Sequence, residues 1–123
     1  SKFEAKIGSA ITVLQDIRDE VLAFKRDKFD FVFIDANKKE YIDYFDLIDK
    51  ITTEDAVILA DNILSHYEKV KDYVDCLFNN NDYQSQIIDM GAGMMLSEKL
   101  LKNWNKENIW AFLIQQKRLE KMI

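Results

Sequence analysis

The chain has 123 residues, enough for one domain with a modest hydrophobic core. Its formal net charge of -5 argues against a surface that binds nucleic-acid phosphates, because such surfaces need clustered lysines and arginines. No apolar run is long enough to span a bilayer, and the only cysteine, Cys76, excludes an internal disulfide and favours a reducing, cytoplasmic environment.

The first two predicted elements are a strand and a helix. Residues 3–8 (FEAKIG) alternate between apolar and polar side chains, which is typical of a short strand. Ser9 is the expected N-cap of a helix, because the apolar period changes to that of a helical face directly after it. This face comprises Ala10, Val13, Leu14, Ile17, Val21 and Leu22. The charged residues 25–28 (KRDK) end the helix and form a loop.

Two buried strands follow, and each is followed by an aspartate. Residues 29–34 (FDFVFI) form an apolar run that stops at Asp35, and residues 56–60 (AVILA) form another that stops at Asp61. Such runs are typical of strands covered on both faces, as in a parallel sheet. Residues 52–55 (TTED) are predicted to be a loop before the second of these strands. Helical spacing between the strands selects an apolar face made of Tyr41, Tyr44, Phe45 and Ile48.

The last third of the chain predicts a helix, a hairpin and a further helix. Residues 65–68 (SHYE) have the form of a capping box, with serine at the N-cap and glutamate at N3. The apolar stripe of the helix that follows comprises Val70, Val74, Leu77 and Phe78. Residues 83–90 and 94–100 predict an antiparallel hairpin at a sheet edge, and Gly91 and Gly93 predict its turn. Residues 105–123 are predicted to be helical.

The alternation of strands and helices predicts an α/β fold with right-handed crossovers and a mostly parallel sheet. Ligands of such sheets bind beyond the carboxyl ends of the strands, where Asp35 and Asp61 are expected to lie. With Asn62 they form an all-oxygen set suited to magnesium or calcium, and Lys38 is close enough in sequence to share the site. A plainer interpretation stays open, because an aspartate at a strand end often caps a turn, and Asp-Asn is an ordinary turn dipeptide.

Residues 29–41 (FDFVFIDANKKEY) and 56–64 (AVILADNIL) resemble the metal-dependent, catechol-type class I O-methyltransferases, which use S-adenosylmethionine. In that family one strand ends on an aspartate with a lysine three residues later, and the next strand ends on an Asp-Asn pair. Residues 6–14 (KIGSAITVL) are similar to the segment that precedes the first motif. Residues 83–96 (YQSQIIDMGAGMML) are similar to the family's closing hairpin.

The resemblance implies a Rossmann-like methyltransferase fold and methyl transfer from S-adenosylmethionine to a hydroxyl of a metal-chelated diol or catechol. It implies that the ligands of Mg²⁺, or of another hard divalent cation, are Asp35, Asp61 and Asn62. It also implies that Lys38 is the catalytic base, or a cation that steadies the phenolate. A base role would need the pKa of Lys38 to be lowered by the nearby metal.

The cofactor half of the family's site is only partly represented. The resemblance implies that Ser9 and Ala10 lie near the adenine of S-adenosylmethionine and that Asp35 borders its methionine end. The family's first two strands, with their Gly-rich loop, have no counterpart here. The chain is therefore expected to be the C-terminal part of a methyltransferase domain, family-like over residues 1–99, with a helical extension over residues 100–123. We expect it to bind S-adenosylmethionine poorly alone, and to form a homodimer or to associate with the missing N-terminal segment.

Two other functions stay open at this point. A non-catalytic interaction or remnant domain would keep the fold without binding the cofactor, and the missing Gly-rich loop supports that alternative. The second alternative is a tRNA hydroxyuridine methyltransferase, because some bacterial members of the family that the sequence resembles methylate such a base. The acidic net charge of the chain disfavours this alternative. Otherwise we expect the partner to be a small molecule that bears the acceptor hydroxyl, and we expect no association with a membrane.

Three further features have plain structural interpretations. His66, the only histidine, follows the Asp-Asn pair and is most simply a first-turn helix residue, although it could line the substrate mouth. Cys76 lies beside a predicted apolar helix face, which favours a buried structural thiol over a nucleophile. The acidic run at residues 43–49 predicts a solvated helix face.

Overall fold

The computed structural model describes residues 10–101, which form a four-stranded sheet with helices on it. The elements in chain order are α1 (Ala10–Leu22), β1 (Phe29–Ile34), a short 3₁₀ helix (Lys38–Glu40), α2 (Tyr41–Ile51), β2 (Thr52–Ala60), α3 (Tyr67–Phe78), β3 (Tyr83–Ile88) and β4 (Met94–Lys99). The predicted strand at residues 3–8, the N-cap Ser9 and the predicted helix at residues 105–123 lie outside the described residues.

The sheet has the strand order β1-β2-β4-β3. β1 and β2 are parallel, whereas β4 runs antiparallel to both β2 and β3. The α/β class and the closing antiparallel hairpin are therefore confirmed, and within residues 10–101 the parallel part of the sheet is the β1–β2 pair. The register pairs Ile34 with Ala60, so Asp35 and Asp61 directly follow residues that lie side by side.

The core lies between one face of the sheet and the helices α2 and α3. On β2 the inward residues Ala56, Ile58 and Ala60 are fully buried, because successive side chains of a strand point to opposite faces. The helix α2 contributes the predicted apolar face, which is buried throughout: Tyr41, Tyr44, Phe45 and Ile48. Aromatic rings meet edge to face across the two helices, as in the pair Tyr41–Tyr73 with centroids 5.7 Å apart.

Two residues predicted on apolar helix faces are exposed instead. Leu22 is 62% exposed and Phe78 is 51% exposed, and each is the last residue of its helix. The helix α1 packs mainly against α2, so its buried stripe is narrow and contains only Ile17 and Val21 as fully buried residues. No helix within residues 10–101 is long and apolar enough to cross a membrane.

The predicted loop at residues 52–55 is wrong, because these residues form the first half of β2. Thr52 is 1% exposed, and its hydroxyl donates a hydrogen bond to the carbonyl oxygen of Ile48 at 2.9 Å. The last turn of α2 thus leads straight into the strand, with Thr52 paired to Phe29 on β1. Residues 53–55 lie between the pairs Phe29–Thr52 and Phe31–Val57, where the register of the β1–β2 ladder shifts, so loop-type residues are accommodated within the strand.

The predicted capping box at residues 65–68 is also wrong. The helix α3 begins at Tyr67, its N-cap is His66, and no side chain caps it. The Ser65 hydroxyl lies 2.9 Å from Nδ1 of His66 instead. The backbone N–H of Ser65 donates to the carbonyl oxygen of Ala92 in the β3–β4 turn, which holds Ser65 outside the helix.

The acidic run on α2 is exposed at Asp43 and Asp46, and Asp49 at its end is partly exposed while it also bonds to the hairpin. Asp49 accepts a hydrogen bond from the hydroxyl of Tyr83 and forms an ion pair with Lys99 at 3.2 Å. Lys99 Nζ also donates to the carbonyl oxygen of Asp49 at 2.8 Å. This cluster ties the end of α2 to the hairpin at the edge of the sheet opposite Asp35.

Tyr73 has a fully buried hydroxyl that forms no hydrogen bond within the described part of the chain. A buried polar group without a partner destabilises the folded state by about 1–3 kcal/mol. We therefore expect Tyr73→Phe to raise the free energy of unfolding by about 1 kcal/mol, measured by urea denaturation. Tyr44→Phe is the matched control and should lose stability, because the Tyr44 hydroxyl donates to Glu40 at 2.8 Å. A loss of stability in Tyr73→Phe would show that its hydroxyl has a partner.

Alkaline pH should unfold the protein through its buried tyrosines. Burial, and then the hydrogen bond to Glu40 and its charge, raise the pKa of Tyr44 to about 12. The unfolded chain loses this proton near pH 10, so the stabilisation is complete below that pH and is lost as pH rises towards 12. We expect stability to fall by about 1.4 kcal/mol per pH unit for such a group. Urea titrations at successive pH values should give a shallower fall for Tyr44→Phe; an identical fall in both proteins would contradict the assignment.

Candidate functional site

Asp35 and Asp61 lie at the carboxyl ends of the paired strands β1 and β2. The backbone N–H of Asp61 donates to the carbonyl oxygen of Ile34 at 2.9 Å, which extends the β1–β2 ladder by one step. Neighbouring strands lie about 4.8 Å apart, so the two aspartates occupy the same edge of the sheet. The structure thus places both aspartates at adjacent strand ends, on the edge of the sheet where the sequence predicted them.

Lys38 lies directly beside Asp35. Its Nζ is 3.0 Å from Oδ1 of Asp35 and 2.8 Å from the carbonyl oxygen of Ala36. The short 3₁₀ helix makes this approach possible, and the side chain of Asn37 starts that helix by accepting a hydrogen bond from the N–H of Lys39 at 3.1 Å. The side chain of Lys38 is 16% exposed and that of Asp35 is 48% exposed, so the carboxylate faces the solvent side of the pair.

The pKa of Lys38 is raised above its ordinary value. Partial burial acts to lower this pKa, but the hydrogen bonds and charges of Asp35 and Tyr41 raise it by more. Lys38 is therefore an ammonium ion at neutral pH in this arrangement. The lowered pKa that a general base would need is not produced by Asp35 and Tyr41.

Asn62 has a left-handed backbone, with φ of 63°. Asparagine is one of the few residues that tolerates this conformation. Its backbone N–H donates to Oδ1 of Asp61 at 2.7 Å, and its Nδ2 is 3.4 Å from the hydroxyl of Ser65. The turn after β2 therefore presents the carboxylate of Asp61 and the amide of Asn62 from adjacent positions.

The turn between β3 and β4 supports the loop that carries Asn62. Ile63 N–H donates to the carbonyl oxygen of Gly93 at 2.9 Å, and Leu64 N–H donates to that of Ala92 at 3.0 Å. Gly91 and Gly93 have φ values of 60° and 83°, which confirms the predicted hairpin turn. This support has no local signature in the sequence, because it joins two segments that are about thirty residues apart.

Tyr41, for which the sequence pattern favoured helix-core packing over stacking on a substrate, also contacts the site. It is fully buried, as predicted, but its hydroxyl donates to the carbonyl oxygen of Asp61 at 3.0 Å. Its ring also lies 5.4 Å from Nζ of Lys38, measured from the ring centroid. Tyr41 thus contacts both Asp61, which follows β2, and Lys38, which follows β1. Its position six residues after Asp35, at the start of the helix that follows, was the signal available in the sequence.

The predicted metal ligands Asp35, Asp61 and Asn62 all offer oxygen donor atoms. Among residues 10–101, no three His, Cys, Asp or Glu side chains come together as a metal-binding group. The predicted set has two carboxylates and one amide, and oxygen donors of this kind suit Mg²⁺, which usually keeps several waters. Asp35, Asp61 and Asn62 all retain some exposure to solvent, so the donor set fits a partly hydrated magnesium ion. Magnesium binding stays a prediction.

The remaining predicted site residues are less informative. Ser9 lies outside the described residues, and Ala10 is the first residue of α1, packed against the core. His66 is exposed at the N-cap of α3, with Ser65 as its hydrogen-bond partner. Cys76 is partly buried against the core, and burial raises the pKa of its thiol, so it is not an activated nucleophile.

Comparison with known proteins gives a consistent result. The sequence model of a family described as O-methyltransferase matches residues 1–100. O-methyltransferase imqG of Aspergillus flavus is 27% identical over 114 residues, which are 92% of this chain and 46% of that protein. Probable caffeoyl-CoA O-methyltransferase 1 of Dictyostelium discoideum is 37% identical over 65 residues, which are 53% of this chain and 27% of that protein.

Solved structures share the fold. The O-methyltransferase from Bacillus cereus in complex with SAH has a TM-score of 0.67 at 22% identity, covering 78% of this chain and 50% of that one. The O-methyltransferase TomG from Streptomyces achromogenes, in complex with SAM, has a TM-score of 0.59 at 22% identity, covering 70% and 46%. The chain thus spans about half the length of the relatives that it matches.

Proposed function

The chain belongs to the O-methyltransferase family, and on that premise we propose that it supplies the acceptor-binding part of a site for methyl transfer. The donor is S-adenosylmethionine and the acceptor is a hydroxyl oxygen. One observation carries the proposal: Asp35 and Asp61 end two paired parallel strands, and Lys38 forms an ion pair with the first of them. This places acid oxygens and a cation at the edge of the sheet where α/β folds bind ligands.

In this proposal Asp35, Asp61 and Asn62 hold a magnesium ion. Magnesium bound there would lower the pKa of an acceptor hydroxyl that coordinates it. Lys38 stays protonated and stabilises the oxyanion that forms when the hydroxyl proton leaves to solvent. That oxygen then bonds to the methyl carbon as the carbon–sulfur bond of the donor breaks, so the chain's own residues act by charge and by alignment.

The donor is proposed from the family and from relatives solved with SAH or SAM bound. Ser9 and Ala10 would lie near its adenine, and Asp35 would border its methionine end. Because the chain spans half or less of each of these relatives, the rest of the donor site would come from another segment. We propose that this segment is an N-terminal part of the domain with which the chain associates; homodimerisation is the other proposed association of the chain.

The acceptor is proposed to be a small molecule with two neighbouring hydroxyls. Two adjacent oxygens can chelate one metal ion, which fixes the reacting hydroxyl in place. The name of the Dictyostelium relative, a caffeoyl-CoA O-methyltransferase, supports an aromatic acceptor of this kind. The net charge of -5 does not support a tRNA acceptor.

Calorimetric titration of catechol into the chain tests this proposal. We expect binding with magnesium present and none after chelation with EDTA, because the acceptor binds through the metal. Lys38→Met should weaken binding at a pH where catechol is ionised, because it removes the cation beside the oxygen. Catechol binding of equal affinity with and without magnesium, or no catechol binding at all, would contradict the proposed site.

A second titration separates the enzyme from a non-catalytic domain. S-adenosylmethionine is added to the chain with magnesium and catechol present, and methylated catechol is measured by mass spectrometry. Methylated product would establish a self-sufficient enzyme. Catechol binding without any S-adenosylmethionine binding would establish that the donor half must come from another segment. The absence of both would favour the remnant domain.

A further inference from the structure

The Asp61–Asn62 peptide is held at both of its polar ends. Its N–H, on Asn62, donates to Oδ1 of Asp61 at 2.7 Å. Its carbonyl oxygen, on Asp61, accepts the hydroxyl proton of Tyr41 at 3.0 Å. The same hydroxyl is 3.5 Å from the carbonyl oxygen of Ile34, at the limit for a hydrogen bond, so the proton is directed to Asp61.

This peptide determines where two of the predicted metal ligands point. Asn62 has φ of 63°, and φ is the rotation of that residue relative to the peptide that Tyr41 holds. A left-handed backbone outside glycine is unfavourable and persists only where its surroundings impose it. Rotation of the peptide would also break the bond to Oδ1 of Asp61 and release that carboxylate.

Tyr41 is itself held rigidly. It is fully buried, and its ring meets Tyr73 edge to face at 5.7 Å and Tyr44 at 6.0 Å. Nζ of Lys38 also lies 5.4 Å from the centroid of the Tyr41 ring, so the ring borders the site. Packing holds the Tyr41 ring in place, and its hydroxyl bonds to the backbone just after β2. Such a side chain is suited to positioning that backbone rather than to taking part in the reaction.

We infer that Tyr41 is a positioning residue, whose hydroxyl fixes the Asp61–Asn62 peptide and so aims both side chains at one metal ion. The inference rests on the metal site of the proposed function. Tyr41 does not touch the acceptor or the donor in this role. It acts through the loop after β2, in the way that outer partners orient the ligands of a metal.

Tyr41→Phe is the test, because it keeps the ring and removes only the hydroxyl. We expect the magnesium dissociation constant, measured by calorimetry, to rise about tenfold, which is the lower end of the effect of losing an outer partner. Tyr44→Phe is the matched control on the same helix, since its hydroxyl bonds to Glu40 and not to the site, and it should leave the constant unchanged. Equal magnesium affinity in Tyr41→Phe and the unchanged chain would overturn the inference.

A second readout keeps the inference separate from the metal site itself. The three-bond coupling between the amide and α protons of Asn62, measured by NMR, reports its φ without any metal. We expect this coupling to change in Tyr41→Phe and to stay unchanged in Tyr44→Phe. If the unchanged chain binds no magnesium, the proposed metal site fails, and the coupling alone decides the inference. An unchanged coupling in Tyr41→Phe would then overturn it.

Discussion

Asp61→Asn is expected to reduce the affinity for magnesium about 100-fold or more, because it removes one of two carboxylates from the proposed donor set. The substitution is mild in every other respect. The new amide keeps an oxygen at the position that accepts the N–H of Asn62, a bond of 2.7 Å in the structure. The loop should therefore keep its shape, and the loss should come from the missing charge.

Asp46→Asn is the matched control for this change. Asp46 is exposed on α2 and lies outside the proposed site, so its replacement removes the same charge without touching the donors. Calorimetric titration of magnesium into the three proteins gives the comparison, with urea denaturation to check that each is folded. If Asp61→Asn binds magnesium as tightly as Asp46→Asn, then Asp61 is not a ligand and the proposed acceptor site is wrong.

Asp35→Asn distinguishes the contribution of Asp35 from that of Asp61. It also removes a ligand, but it breaks the ion pair with Lys38, whose Nζ is 3.0 Å from the Asp35 carboxylate. Lys38 would then keep its bond to the carbonyl oxygen of Ala36 at 2.8 Å and its position 5.4 Å from the centroid of the Tyr41 ring. The ammonium of Lys38 thus balances one carboxylate before any metal binds, which reduces the repulsion that two adjacent acids would otherwise create.

The regular elements were predictable because each is encoded by a local pattern. The strand β1 and the buried part of β2 are apolar runs, and the buried face of α2 follows from helical spacing. The aspartates at the strand ends could be placed together because parallel strands bring their carboxyl ends to one edge. Local pattern and tertiary structure agree at these positions.

The supports of the site were not predictable in the same way. Tyr41 has the spacing of a core residue, and nothing local indicates that its hydroxyl reaches Asp61, twenty residues later. Ser65 looked like a helix cap, but the backbone of Ala92 holds its N–H outside the helix. Asp49 has a partly exposed side chain, as the acidic run predicts, but it also pairs with Lys99 on β4. In each case a residue has a polar partner far away in the sequence, which no local pattern encodes.

Gly93→Ala is expected to destabilise the protein by about 3 kcal/mol, through one clash and one strained backbone. A Cβ on Gly93 would lie 2.5 Å from Cγ and 2.7 Å from Cβ of Leu64. The far end of the Leu64 side chain could turn aside, but its Cβ moves only with the backbone of the loop after β2. With φ of 83°, residue 93 also disfavours any side chain.

Gly91→Ala is the control within the same turn, and it isolates the clash. Gly91 has φ of 60°, but a Cβ there would meet nothing within 4 Å. Its replacement should therefore lose only the backbone preference, about 1 kcal/mol. Urea denaturation of both variants gives the difference, and Leu64→Ala should restore part of the stability lost in Gly93→Ala. Equal losses at the two glycines would show that Leu64 does not constrain the turn.

Gly93→Ala should also weaken magnesium binding, although Gly93 is not one of the proposed metal ligands. Displacing Leu64 displaces the segment that runs from Asn62 through Ile63, whose N–H is bonded to the carbonyl oxygen of Gly93 at 2.9 Å. Asn62 would then lose the support of the β3–β4 turn. It would keep the support of Tyr41, whose hydroxyl bonds to the carbonyl oxygen of Asp61. Gly93→Ala combined with Tyr41→Phe should consequently weaken binding by more than the product of the two single effects, because each change removes the support that remains after the other.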